Sequence, residues 1–158
     1  MKERILSILV EDKPGVLARV SSTISRRGFN IKSLSVGPTS VDGRSKMTIV
    51  TDADAVEQVK KQLNKLINII KIIEFEPDST LETEVMLIKV STTRDTQTPV
   101  IEKATMSNAR SVDVGTNSAI FEITGTSVEL DKFEELMKPY GIIDMVRGGR
   151  IAMQGIQS

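Results

Sequence analysis

Arg4–Val10, RILSILV, is apolar at nearly every position, which suits a strand at least partly covered on both faces. From Pro14 the period changes. Val16, Leu17, Val20 and Ile24 fall on one helical face, with Arg19, Ser22 and Arg26 opposite. Pro14 suits the first helical position, because the amide it lacks has no helical partner there. Gly28 stands where a left-handed residue would close the helix. NIKSLSVGP (30–38) and RSKMTIVT (44–51) then read as strands, with the turn residues TSVDG between them. Asp54 followed by Glu57 resembles a capping box. It predicts a helix with Val56, Val59, Leu63, Leu66 and Ile67 on one face, and IIKIIEF (69–75) closes the unit as a strand.

The pattern recurs after PDSTL (77–81), whose Pro, Asp, Ser and Thr mark a linker. ETEVMLIKVST (82–92) is a strand, and Pro99 begins a helix with Val100, Ile101 and Ala104 inward. ARSVDVG and SAIFEITG are strands joined at Gly115-Thr116-Asn117. Thr126 with Glu129 is a second capping-box candidate, opening a helix with Leu130, Phe133, Leu136 and Met137 on one face. GIIDMVR is the last strand of this unit, and GGRIAMQGIQS trails it.

The order β-α-β-β-α-β, met twice, predicts an α+β protein of two tandem ferredoxin-like units: residues 1–76, a linker at 77–81, and residues 82–158. Each unit is small enough for its own core to be marginal. The second and fourth strands of such a unit lie at the sheet edges, and bare edges invite pairing. A homodimer through the edge strand at 30–37 is therefore expected.

Composition removes several function classes. The 158 residues carry 21 basic and 21 acidic side chains, a formal net charge of zero. Nucleic-acid and membrane-surface proteins rely on a positive field that this chain lacks. RNA-recognition domains share the strand and helix order but stack bases on sheet aromatics. KMTIVT carries none, and Phe121 is a lone aromatic better suited to a core. Without Cys there is no disulfide, thiolate nucleophile or thiolate metal site. Without His the commonest general base and metal ligand are gone, and no nucleophile–base pair or cofactor loop takes their place. The charged start MKER does not suit a signal peptide. The apolar run LINIIKIIEF contains Lys71 and is far shorter than a membrane span, so a cytoplasmic location is expected.

The candidate chemistry lies in EDKPG (11–15) and at Asn30. Amides of Gly15 and Val16 at a helix start can hold a carboxylate, and Asp12 can accept from an ammonium group. Asn30 offers a donor and an acceptor, which suits a zwitterion. The commoner roles of these residues are local: Asp12 as a cap, Pro14-Gly15 as a turn, Asn30 as a turn residue. Lys60, Lys61, Lys65 and Gln58 read as helix surface, and RGGR (147–150) is too short for a phosphate loop. Glu82, Glu84, Glu134 and Glu135 have no catalytic partner and read as surface.

ILVEDKPGVLARVSSTISRRGFNIKSLSVGPT followed by MTIVT resembles the ACT domain of the small, regulatory subunit of acetohydroxyacid synthase, also called acetolactate synthase. ETEVMLIKV with the later FEITGT and LDKF resembles the C-terminal domain of the same family, so the resemblance covers nearly the whole chain. It implies a chain without catalytic residues that binds the large catalytic subunit, whose cofactors are thiamine diphosphate, Mg²⁺ and FAD. It implies activation of that subunit and feedback inhibition by valine, or by leucine or isoleucine, bound between paired ACT domains. Asp12, Gly15 and Asn30 match effector-site positions, with backbone groups near Val16, Leu17 and Ile31 assisting. Gly37 and Gln58 match positions of less direct influence. Asp12 stands where Asn is common in the family and adds a negative charge near the ligand carboxylate. The alternative is a stand-alone ACT amino-acid sensor that regulates another enzyme.

Overall fold

The structure, a computed structural model, describes residues 2–26 and 28–156. Two compact units emerge, as the doubled pattern predicts. The first holds residues 1–81 and 150–158, the second residues 82–149.

In the first unit β1 (Glu3–Glu11) leads into α1 (Val16–Arg26), β2 (Ile31–Pro38), β3 (Arg44–Asp52), α2 (Val56–Leu63) and β4 (Ile69–Glu74). The sheet order is β2-β3-β1-β4 with antiparallel neighbours throughout, so β2 and β4 are its edges. Leu6, Ile8 and Val10 of β1, with Met47 and Ile49 of β3, bury one face of the sheet against Val16, Val20 and Ile24 of α1 and Val56, Val59 and Leu63 of α2. Each such side chain contributes about 1.5–3 kcal/mol by leaving water. On the opposite face, Ile5, Val50 and Phe75 form a smaller cluster with Ala152.

The second unit repeats the plan with β5 (Thr80–Ser91), α3 (Gln97–Met106), β6 (Arg110–Val114), β7 (Ser118–Gly125), α4 (Ser127–Met137) and β8 (Ile142–Arg147), in the sheet order β6-β7-β5-β8. Its core joins Met86, Ile88 and Val90 to Phe121, Ile123, Val100, Ala104, Leu130, Phe133 and Met137. Phe121 and Phe133 meet edge to face at 6.3 Å. The capping box expected at Thr126 is present: its side chain accepts from the Glu129 amide, and Glu129 accepts from the Thr126 amide.

Several local expectations change. Gly15 has φ +84°, so α1 starts at Val16 and Pro14 lies in the turn before it. Leu17 is 47% exposed, so its side chain lies off the buried apolar face of Val16, Val20 and Ile24. The Asp54–Glu57 capping box does not form, because Ala53–Ala55 first make a 3-10 turn that encloses Asp54. The helix then ends at Leu63, which turns Ile67 outward to 92% exposure. Leu136 lies near the rim at 37% exposure. α3 starts at Gln97, two residues before Pro99, whose missing amide still falls in the first turn. The linker shrinks to one 3-10 turn at Pro77–Ser79, after which Thr80 already belongs to β5.

The segment after β8, read from sequence as the end of the second unit, groups with the first. Its strand β9 (Ile151–Gln154) sets Ala152 in the cluster of Ile5, Val50 and Phe75. The Arg150 guanidinium donates to Glu3 Oε2 at 2.7 Å, and the Gly155 amide donates to the Ser79 carbonyl at 2.7 Å.

Candidate functional site

β1 ends at Glu11, and the chain must reverse to lay α1 on the sheet. The Asp12 amide donates to the Gly43 carbonyl at 2.9 Å, which ties this turn to the β2–β3 hairpin. Gly15 then takes the left-handed conformation that its lack of a Cβ allows. Its carbonyl accepts the Arg19 amide at 3.0 Å, the first i to i+4 bond of α1, so Gly15 holds the N-cap position. Asp12, a candidate for that role, is not the cap.

This moves the amides that can face a ligand. The Val16 amide already donates to the Lys13 carbonyl at 3.3 Å. The amides of Leu17 and Ala18 have no acceptor within a helix starting here, and the glycine cap has no side chain to offer them. A methyl at Gly15 would meet no atom within 4 Å, so the space above this helix start is open. The exposed Leu17 side chain adds an apolar surface beside it.

Charge at this end is mixed. Lys13 pairs with Glu11 at 2.7 Å, and the hydrogen bond from Lys13 holds the Glu11 carboxyl below its ordinary value. Arg44 stands opposite Glu11 across the sheet, and Lys46 stands opposite Gly37. The sequence names the Leu17 backbone but neither of these cations nor the Ala18 amide. The Pro14-Gly15 dipeptide was the signal for the amides, once Gly15 is taken as the cap and not as the first turn.

Asn30 lies at the other end of the layer. It is exposed and precedes β2, and its carbonyl accepts the Thr51 hydroxyl at 3.1 Å. Ile31 is half-buried against the core and pairs with Thr51, which pairs with Arg4. α2 starts just after β3 ends, so the exposed Gln58 in its first turn also belongs to this end. Beside it, Lys32 bridges Asp52 at 3.0 Å and Glu3 at 3.6 Å, and the bond to Asp52 raises its ammonium pKa.

Asp12, Gly15, Val16, Leu17 and Gly37 therefore gather at one end of the first unit, and Asn30, Ile31 and Gln58 at the other. The row of Ile31 meets β1 at Arg4, whereas the Asp12 turn follows Glu11. Those seven residues correspond to roughly 24 Å of strand. No single chain joins the two groups.

The chain has relatives along nearly all its length. Residues 6–71 match the family model described as an AHAS small subunit-like ACT domain, and residues 83–156 match that of the small subunit of acetolactate synthase. The chain is 49% identical over 150 residues to the acetolactate synthase small subunit of Mycolicibacterium smegmatis, covering 94% of this chain and 88% of the relative. It is 47% identical over 150 residues to a probable acetolactate synthase small subunit of Archaeoglobus fulgidus, covering 94% of each. The crystal structure of the acetolactate synthase small subunit from Thermotoga maritima matches with a TM-score of 0.93 over 100% of both chains, at 32% identity.

Proposed function

The chain belongs to the small-subunit family of acetolactate synthase, and we propose that it binds the catalytic subunit of that enzyme, raises its activity and makes it sensitive to valine. Leucine and isoleucine are the other ligands of the same shape and charge. Thiamine diphosphate, Mg²⁺ and FAD belong, on this reading, to the catalytic subunit and not to this chain.

The observation that carries the effector site is the glycine-capped start of α1. With Gly15 before a helix that starts at Val16, the Leu17 and Ala18 amides have no acceptor within the helix, at the end where its dipole favours an anion. A carboxylate bound there completes the cap. Leu17 supplies aliphatic surface for a branched side chain, and Asp12 stands close enough in sequence to receive the ammonium group.

The site is completed by a second copy. β2 is a bare edge strand with Val36 46% exposed. A two-fold pairing of β2 with its mate is antiparallel, and the same surface serves both copies. It sets the Asn30 end of one strand beside the Gly37 end of the other. Asn30 of the partner subunit then comes to the turn of Asp12 and Gly15, across the distance one chain cannot span. Ligand binding in such a pocket favours one dimer geometry, and it shifts the catalytic partner by its differential affinity for two states.

Reconstitution with an acetolactate synthase catalytic subunit tests the reading. The expected result is higher acetolactate formation on adding the chain, and a fall on adding valine. A synthase indifferent to both would refute it.

A further inference from the structure

We infer that the segment after β8, fastened through Arg150 to Ser33 and Glu3, carries the state of the effector edge from β2 to β8. This inference rests on the proposed site at the β2 edge and names how occupancy there would leave the first unit.

Ser33 is where the segment touches that edge. It lies on β2, three residues after Asn30, where the pairing of β2 with β3 shifts register between Ile31 and Ser33. A bulge is the part of an edge strand best able to change its path. The Ser33 hydroxyl accepts the Arg150 amide at 2.8 Å, so a shift of the bulge changes an anchor of the segment directly.

Arg150 has a second hold. Its guanidinium, whose side chain is only 12% exposed, donates to Glu3 Oε2 at 2.7 Å. Glu3 is also within 3.6 Å of Lys32, the residue of β2 just before Ser33. Glu3, Lys32, Ser33 and Arg150 thus form one polar cluster at the Asn30 end of the edge strand. Downstream, Ala152 among Ile5, Val50 and Phe75, and the Gly155 amide on Ser79, keep the segment in place. A methyl on Gly155 would come within 2.8 Å of the Ser79 carbonyl oxygen, so this hold requires glycine.

The connection to β8 is short. β8 ends at Arg147, and the Gly148 amide donates to the Val85 carbonyl at 2.9 Å within the second unit. Arg150 is fastened in the first unit. Gly149 is the one residue between the two anchors, so a displacement of Arg150 is not absorbed by a long linker.

Two variants separate this role from ligand binding. Ser33→Ala removes the acceptor of the Arg150 amide, and Arg150→Ala removes the bond to Glu3. Neither residue belongs to the proposed valine pocket. Each variant is measured for valine affinity by calorimetry, for activation of the catalytic subunit without valine, and for the valine concentration that half-inhibits the synthase. Affinity for the isolated chain and valine-free activation stay at the wild-type level, while the half-inhibiting concentration rises about 5- to 150-fold, the range of ordinary allosteric coupling. Arg150→Lys, which keeps the charge on Glu3, lies between wild type and Arg150→Ala. Variants inhibited like the wild type would overturn the inference and leave the effector site standing. Variants that lose valine affinity in step with inhibition would also overturn it, since these residues would then shape the pocket. A wild-type synthase that valine does not inhibit would remove the inference together with the site it rests on.

Discussion

Arg147 and Glu84 form a partly buried ion pair, with Nη2 of the half-buried guanidinium 2.9 Å from Oε2 of a carboxylate side chain that is 7% exposed. The same guanidinium donates to the Ser127 carbonyl at 2.9 Å and to Asp131 at 2.6 Å, so one cation fastens β5 and α4 to β8. Burial works against the charged form of Arg147, but the hydrogen bonds to Asp131 and Glu84 outweigh it and its pKa is raised. Removing one partner of such a pair leaves the other desolvated. Glu84→Ala is expected to lower the stability of the second unit by about 3 kcal/mol, read as a fall in the denaturation midpoint. Asp131→Ala, whose side chain is 63% exposed, is expected to cost less than about 1 kcal/mol.

Glu3 gives a pH dependence with a definite sign. The hydrogen bond from Arg150 is the largest influence, and it holds the Glu3 carboxyl below its ordinary value of 4.5 despite the opposing effect of burial. A carboxyl whose pKa is depressed on folding binds protons more weakly folded than unfolded. Its contribution is therefore fully present above about 4.5 and is lost as pH falls toward and through the lower folded value. Thermal unfolding of wild type and Glu3→Gln between pH 7 and pH 3 checks this. The stability difference between them is expected to shrink on acidification, and a constant difference would contradict the assignment.

Pairing through β2 is open to a direct test at Val36. Charged residues on an edge strand are a common block to strand pairing. Val36→Asp puts a carboxylate where two copies would meet. The wild-type chain is expected to sediment as a dimer and the variant as a monomer with unchanged circular dichroism. A wild-type monomer at all concentrations, or a dimeric variant, would remove the β2 pairing.

The two units were legible in the sequence because the period of apolar positions changes from strand to helix in the same order twice. Local capping was legible where the chain does nothing else: Thr126 and Glu129 pair as their spacing suggests. Asp54 and Glu57 have the same spacing, but the 3-10 turn at Ala53–Ala55 comes first and moves the helix start past Asp54. Glu84 looks like a surface residue by type, yet it alternates in phase with Met86, Ile88 and Val90 on the buried face of β5. That phase was the signal, and it became meaningful only when β8 brought Arg147 alongside. The candidate effector residues were legible as types suited to a zwitterion. That they divide between two ends of one layer depends on strand register, which no local pattern reports. The hold of Arg150 on Glu3 spans 147 residues and has no local signature at all.

Asn30 and Gly15 separate ligand contact from fold. The Asn30 side chain is exposed, and only its backbone carbonyl bonds to Thr51, so Asn30→Ala leaves the fold intact. If its amide holds a charged end of valine, losing that bond weakens binding by about tenfold or more. Gly15→Ala acts differently. A methyl there meets open space, but at φ +84° it carries a backbone strain of about 1–2 kcal/mol. That variant is expected to lose stability and, because relief of the strain turns the Leu17 and Ala18 amides away, affinity as well. Calorimetry with valine beside a thermal melt distinguishes the two: Asn30→Ala changes the first alone, and Gly15→Ala changes both. Undiminished valine affinity in Asn30→Ala would take Asn30 out of the pocket and, with it, the reason for placing the pocket between two copies.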